Sequence, residues 1–290
     1  MNRVASIRKA TWDDFDEIVE LLAARSRAAF GVSQVKAIDV RHRWELPGYD
    51  RWVASDGNRI VGYAALDGTQ DVVHSADSAA GDALLTQVVE RALDRGFDHL
   101  SVTAVPGDVP LWSLVERNGF EHDRDILRMW RELDGDLPEP KWDKGAVVRA
   151  YEVPDGEPVH ALLDEAYAGW DPNYVPRSHE SWLSFMTGHD DFDPALFFLV
   201  ERDGDLVACA LHWKEFDGRG WVKDIVVRQS ERSRGLGKAL LHHAFRAYRE
   251  RGVTRVGLKV DSTNPTGGLQ LYERLGFVTD QRLGIWIKRL

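Results

Sequence analysis

One stretch of this 290-residue chain has residue types and spacing suited to chemistry: Arg228-Gln229-Ser230-Glu231-Arg232-Ser233-Arg234-Gly235-Leu236-Gly237-Lys238. Its glycines allow a tight turn and let backbone approach a ligand with no Cβ in the way. A helix starting here would aim its first, unpaired N–H groups and the positive end of its dipole at the same point. Arg232, Arg234 and Lys238 add positive charge. A pyrophosphate is the natural guest.

The flanking elements must hold that loop in place. Trp221–Val227 is rich in β-branched and aromatic residues and reads as a strand. Leu240, Leu241, Ala244, Phe245 and Tyr248 recur at helical spacing, and Gly252 ends the helix. Three glycine-loop classes compete for a strand–loop–helix unit of this kind. A Walker loop requires a glycine where Arg232 stands and a hydroxyl where Ala239 stands. A dinucleotide fingerprint requires a third glycine where Leu240 stands, within an alternating βαβ unit that is missing. The third class, Arg/Gln-x-x-Gly-x-Gly/Ala, is matched in full by Arg232-Ser233-Arg234-Gly235-Leu236-Gly237.

In this setting the loop resembles the GCN5-related N-acetyltransferase (GNAT) superfamily. Asn264 and Leu271-Tyr272-Glu273-Arg274-Leu275-Gly276-Phe277 are similar to a second motif of that family. The resemblance implies acetyl-CoA (or another acyl-CoA) as co-substrate, with no metal. Pantetheine would pair as an added strand with Ile225, Val226 and Val227. The pyrophosphate would sit on Arg232, Ser233, Arg234, Gly235, Leu236, Gly237 and Lys238. Asn264 matches a residue that bonds the CoA arm. Tyr272 matches the general acid that protonates the leaving thiolate, and a phenol with an ordinary pKa of about 10 carries that proton at neutral pH. The amine would attack the thioester directly, with an N–H near Val227 polarising its carbonyl.

The base is less defined. Where some members carry a Glu on the fourth strand, this chain has Trp221. Asp224 lies on the same strand and is the candidate base, and His212 and Glu215 follow the preceding strand. Asn264 and Tyr272 are eight positions apart where many members have seven, and Gln229 replaces a common proline.

The chain repeats one plan. Arg95-Gly96 matches Arg251-Gly252 at an offset of 156, and Gly119-Phe120 matches Gly276-Phe277 at 157. Each copy reads as strand, helix, variable segment, hairpin, third strand, helix, strand, helix, strand. Asp56-Gly57 and Asp203-Gly204 are the hairpin turns. Asp134–Pro140 carries two prolines, acids and a glycine, and reads as a linker. The expected division is 1–134, a linker at 135–145, and 146–290. The fold class is α/β, of mixed α+β character: two tandem GNAT-like domains, each a mixed, mostly antiparallel sheet flanked by helices. The layout is similar to that of two-domain actinobacterial members. In the first copy, Asp77-Ser78-Ala79-Ala80-Gly81 replaces the glycine-arginine loop, Val115 stands at the position of Tyr272 and Asp108 at that of Asn264. The first copy is therefore expected to be a non-catalytic scaffold.

Composition narrows the classes. Basic residues number 37 and acidic 47, a net charge of −10 that argues against a nucleic-acid partner. No apolar run approaches the roughly 20 residues of a membrane helix. The start, Met1-Asn2-Arg3-Val4-Ala5, lacks a signal-peptide core, so a cytoplasmic location is expected. Cys209 is the one cysteine and reads as a core thiol. His242-His243 are adjacent rather than one helical turn apart and read as a polar helix face. The aromatic segment Trp170-Asp171-Pro172-Asn173-Tyr174, with His179, Trp182 and Phe185, is an acceptor pocket or a packed lid. The expected activity is N-acetylation of a small-molecule primary amine, by a monomer or homodimer. The alternatives are acetylation of a protein or peptide amine, and a non-catalytic acyl-CoA sensor.

Overall fold

The computed structural model describes residues 6–68, 71–76, 78–214 and 218–290. It divides into two compact units. One comprises residues 1–126 and 282–290, the other residues 127–281.

The first unit contains β1 (Ser6–Lys9), α1 (Phe15–Phe30), α2 (Ala37–Glu45), β2 (Asp50–Asp56), β3 (Arg59–Leu66), β4 (Asp71–Ala76), α3 (Ser78–Asp94), β5 (His99–Ala104) and α4 (Val109–Arg117). β6 (Glu121–Glu132) begins in this unit and finishes in the second. The second unit continues with β7 (Val147–Ala150), α5 (Gly156–Ala168), α6 (His179–Thr187), β8 (Phe192–Arg202), β9 (Asp205–Lys214), β10 (Arg219–Val227), α7 (Leu236–Glu250), β11 (Arg255–Asp261) and α8 (Gly268–Arg274). β12 (Val278–Arg289) starts in the second unit and ends in the first.

Both units follow the same strand plan. In the first the order is β1-β2-β3-β4-β5-β12, antiparallel except for the parallel β4–β5 pair. In the second the order is β7-β8-β9-β10-β11-β6, with β10–β11 parallel. The last strand of each unit thus comes from the other sequence half. β12 pairs with β5 from Gly284↔Ala104 to Arg289↔His99. A division at 135–145 follows chain order, whereas the compact units follow this strand pairing.

The repeat also shows in one buried-edge contact. Arg8 grips Asp14 with two bonds of 2.7 Å, and Arg149 grips Asp155 with bonds of 2.6 and 2.7 Å. In each copy the carboxylate also accepts the backbone N–H three residues earlier, from Thr11 or Glu152. A bidentate guanidinium–carboxylate pair locks the turn between the first strand and its helix. It holds Asp14 at about 2, and Asp155 below its usual range, each chiefly through its arginine.

In the second unit, α7 lays Leu240, Leu241, Ala244, Phe245 and Tyr248 on one sheet face, all fully or almost fully buried. The other face packs Val159, Leu162 and Leu163 of α5 against Phe197, Leu199, Cys209 and Leu211. Tyr248 also ties the sheet together. Its hydroxyl donates to Trp213 O at 2.8 Å and accepts from Trp221 N at 3.0 Å. A Cβ on Gly220 would lie 2.6 Å from that ring, so only glycine fits there. No helix among the described residues is long and apolar enough to cross a membrane.

Candidate active site

The phosphate loop joins β10 to α7 as read from the sequence. Ser233 and Gly235 adopt left-handed φ values of 65° and 82°, and Gly235 caps α7. The first N–H groups of that helix face the loop, and the capping side chain that would occupy them is absent, since the cap is glycine. Arg232 donates from Nε to Val227 O at 3.1 Å, tying the loop to the end of β10. Arg234 is half exposed and lies 3.7 Å from both Asp143 and Glu231. Arg202 braces the same two acids, at 2.7 and 2.9 Å.

A groove of about 270 Å3 runs beside this loop. Leu162, Ala166 and Trp170 form one side, Pro265 and Thr266 the other, and Arg232 lies at its end. β10 and β11 pair from Arg219↔Arg255 only as far as Val222↔Leu258. Past that point β10 has no β11 partner in register, so Ile225–Val227 present backbone on that side. An extended amide-bearing chain can add there as a strand would. Loop, groove and unpaired strand edge together fit the pyrophosphate and pantetheine of an acyl-CoA.

The strands part where β10 carries a bulge, at Val222/Asp224. The extra residue, Lys223, reverses the alternation of the strand. Val222, Ile225 and Val227 pack on the α7 side, while Trp221 and Val226 pack on the α5 side. Asp224 goes with the latter and accepts a 2.5 Å hydrogen bond from the Tyr167 hydroxyl, in the last turn of α5. Asp224 keeps some accessible surface, yet the dense surroundings push its carboxyl above the usual range, against the Tyr167 bond and the Lys223 charge. Lys223 itself lies over the Trp213 and Phe185 rings, at 4.0 and 4.9 Å.

Tyr272, on α8, is buried at 8% exposure. Burial and then the nearby Asp224 charge push its phenol well above 10, so it holds its proton across the physiological range. Tyr167 is raised for the same reasons in the same order. Sequence positions 167, 224 and 272 thus converge into one electrostatically linked group. Cys209, fully buried on β9, faces the same carboxyl and belongs to the core.

Other candidates fall elsewhere. His212 pairs with Val222 on the α7 face, against Phe198 and Tyr248. It is fully buried, neither ring nitrogen has a hydrogen bond, and burial lowers it to about 3. It is therefore on the wrong side of the sheet to meet Asp224. Glu215 and Asp77 lie outside the described residues. Asn264 accepts from Thr266 N at 2.8 Å and Thr266 Oγ1 at 2.5 Å, so a ligand contact from it would use Nδ2. His242 and His243 stand on α7, and no group of three or more potential metal ligands occurs among the described residues.

The aromatic segment is divided. Trp170 lines the groove. Tyr174 stacks on Tyr167 with ring centroids 5.6 Å apart and donates to Asp164. Trp182 is buried and stacks on His160 at 4.9 Å, so that end of the segment is packed lid. Tyr167 was not singled out from the sequence. Four residues after Leu163, it reads as one more apolar-face position, and only the bulge in β10 brings a carboxylate to its hydroxyl.

The first unit has no such groove. β4 ends at Ala76 and α3 begins at Ser78, where β10 and α7 are separated by residues 228–235. The Arg25 guanidinium of α1 pairs with Asp108, the counterpart of Asn264. A Cβ on Gly107 would lie 2.5 Å from Ala29 O, so helix and loop are in contact where α5 and the 264–266 loop stand apart.

Comparison with known proteins agrees with this geometry. The profile of the acetyltransferase (GNAT) family matches residues 157–277. A mycothiol acetyltransferase of Parafrankia sp. is 30% identical over 317 residues, covering 96% of this chain and 95% of that protein. The crystal structure of a GCN5-related N-acetyltransferase from Sphaerobacter thermophilus is 26% identical and superposes with a TM-score of 0.75, over 100% of this chain and 96% of that one. A tandem GNAT protein from the clavulanic acid biosynthesis pathway shares the fold at 17% identity and a TM-score of 0.74, covering 98% of each chain. The chain belongs to the acetyltransferase (GNAT) family, and it is an acetyltransferase of the tandem GNAT fold.

Proposed function

We propose that the second unit transfers an acetyl group from acetyl-CoA to the primary amine of a small molecule, and that the first unit is a scaffold without a donor site. The observation that carries this reading is the convergence of Asp224 and Tyr272 beside the unpaired end of β10, next to the groove and phosphate loop. Acetyl-CoA supplies the thioester carbonyl. The α7 N-terminus, Arg232, Arg234 and Lys238 hold its phosphates. Backbone at Ile225–Val227 aligns the pantetheine, and Asn264 Nδ2 supports the arm.

Asp224 accepts the proton that the amine sheds as its nitrogen bonds the acyl carbon. Tyr272 gives its proton to the sulfur as the carbon–sulfur bond breaks. Asp224 can return its proton to Tyr272 or to water, which restores the pair. Each transfer of this type is typically worth roughly 10²–10⁴-fold. Asp224's charge keeps Tyr272 protonated until it is needed, so the two groups assist each other.

Two observations support a small acceptor over a peptide. The relatives are named for acetylation involving mycothiol, a small molecule. Tyr174 and Trp170 also wall the approach to Tyr167 and the groove. The test is product analysis by mass spectrometry after incubation with acetyl-CoA and separate panels of small primary amines and of peptides. Acetylated small amines support the proposal. Products from peptides alone overturn the acceptor class. Tight acetyl-CoA binding with no product identifies a non-catalytic acyl-CoA binder.

A further inference from the structure

We infer that Tyr167 is a positioning residue for this acetyl transfer, its hydroxyl orienting the Asp224 carboxylate and sharing its charge so that it can accept the amine proton. The inference rests on the proposed reading of Asp224 as base. It goes beyond that reading by assigning a residue on α5, which carries none of the donor motif.

The geometry is specific. The bulge at Lys223 turns Asp224 onto the α5 face, and the Tyr167 hydroxyl meets Oδ1 at 2.5 Å. A bond this short to a carboxylate is a charge-assisted one. Tyr167 is held from both sides: its helix packs on the sheet core, and Tyr174 stacks on its ring while anchored to Asp164. The phenol therefore has a fixed direction. Its proton stays put, because burial and Asp224 both oppose ionisation. The groups facing Asp224 are Tyr167 from α5, Tyr174 from the following segment, Cys209 from β9, Tyr272 from α8, and its neighbour Lys223. Tyr167 is the member of this set that bonds the carboxylate directly.

The sign of its effect follows. Burial raises the carboxyl and the Tyr167 bond lowers it. Removing the hydroxyl leaves the raising effect unopposed, so the carboxylate forms at higher pH. In exchange, the bond takes one oxygen of the base and leaves the other for the amine.

The test reads Asp224 without needing an acceptor. Protein labelled with 13C at the aspartate carboxyl is titrated by NMR, and the Asp224 signal is identified by its loss in Asp224→Asn. In Tyr167→Phe, which keeps the ring against Tyr174, the midpoint should rise by about one pH unit, the equivalent of one net hydrogen bond. The acid limb of kcat/KM for acetyl transfer should move with it, while KM for acetyl-CoA stays within about twofold. As a second arm, wild-type chain made with 3-fluorotyrosine has a stronger phenol donor and should show a lower midpoint; the same label in Tyr167→Phe should not. An unchanged midpoint in both arms overturns the role of Tyr167. Undiminished activity in Asp224→Asn overturns the underlying reading instead, so the two failures are distinct.

Discussion

Trp221 and Asp224 face the same side of β10 although three positions separate them, because the bulge at Lys223 inserts one residue between them. In a regular strand they would face opposite sides. The position where some family members carry a base thus holds an aromatic ring that packs into the α5-side core and contacts Trp130 at 5.4 Å. A carboxylate is supplied instead one bulge further along. Asp224→Asn should lower kcat by roughly 10²–10⁴-fold with acetyl-CoA affinity retained. Steady-state kinetics with isothermal titration of acetyl-CoA separates the two effects.

The raised carboxyl fixes the direction of the pH dependence. Asp224 acts as base only when ionised, and burial moves that ionisation above the ordinary carboxylate range. kcat/KM should therefore fall as pH is lowered, beginning above the range in which an exposed aspartate protonates. Tyr272 is shifted upward and keeps its proton well past pH 10, so its ionisation should produce no loss of activity on the alkaline side up to that point. A pH–rate profile from 5 to 10 checks both limbs.

Much of the fold was legible because it rests on local patterns. The helix of Leu240, Leu241, Ala244, Phe245 and Tyr248, the Asp203-Gly204 turn and the 156-residue repeat are all written in spacing. Asp203 and Gly204 do adopt the positive φ values, 53° and 89°, that such a hairpin requires. Three features were not legible. The bulge at Lys223 arises from pairing between strands, and nothing in Val222-Lys223-Asp224 marks it. Tyr167 depends on that bulge. The assignment of β6 and β12 to units depends on which sheet edge each strand finds, a choice that hydrophobic alternation alone leaves open.

His212 makes a prediction about stability rather than rate. It is buried without a hydrogen bond, and its pKa falls to about 3 from an ordinary 6.5. The unfolded chain takes up a proton near pH 6.5 while the folded chain does not. Stability should therefore decline as pH falls from about 6.5 toward 3. His212→Phe should flatten that part of the curve, measured by urea unfolding at several pH values, and should leave kcat largely intact.

The closed first unit is tested at Gly107. Gly107→Ala places a methyl 2.5 Å from the Ala29 carbonyl oxygen, so helix or loop must shift. A destabilisation of about 1–3 kcal/mol is expected, the usual range for overpacking. Acetyl-CoA affinity should not change, since the donor groove belongs to the second unit. Thermal unfolding together with acetyl-CoA titration checks both statements.

The central claim is tested most directly by the rate of CoA release at saturating acetyl-CoA with a small primary amine, compared between wild type and Tyr272→Phe. The account predicts turnover by wild type and a fall of roughly 10²–10⁴-fold in the variant, with acetyl-CoA still bound. Equal rates in the two proteins, or acetyl-CoA bound by wild type with no turnover on any amine, would contradict it.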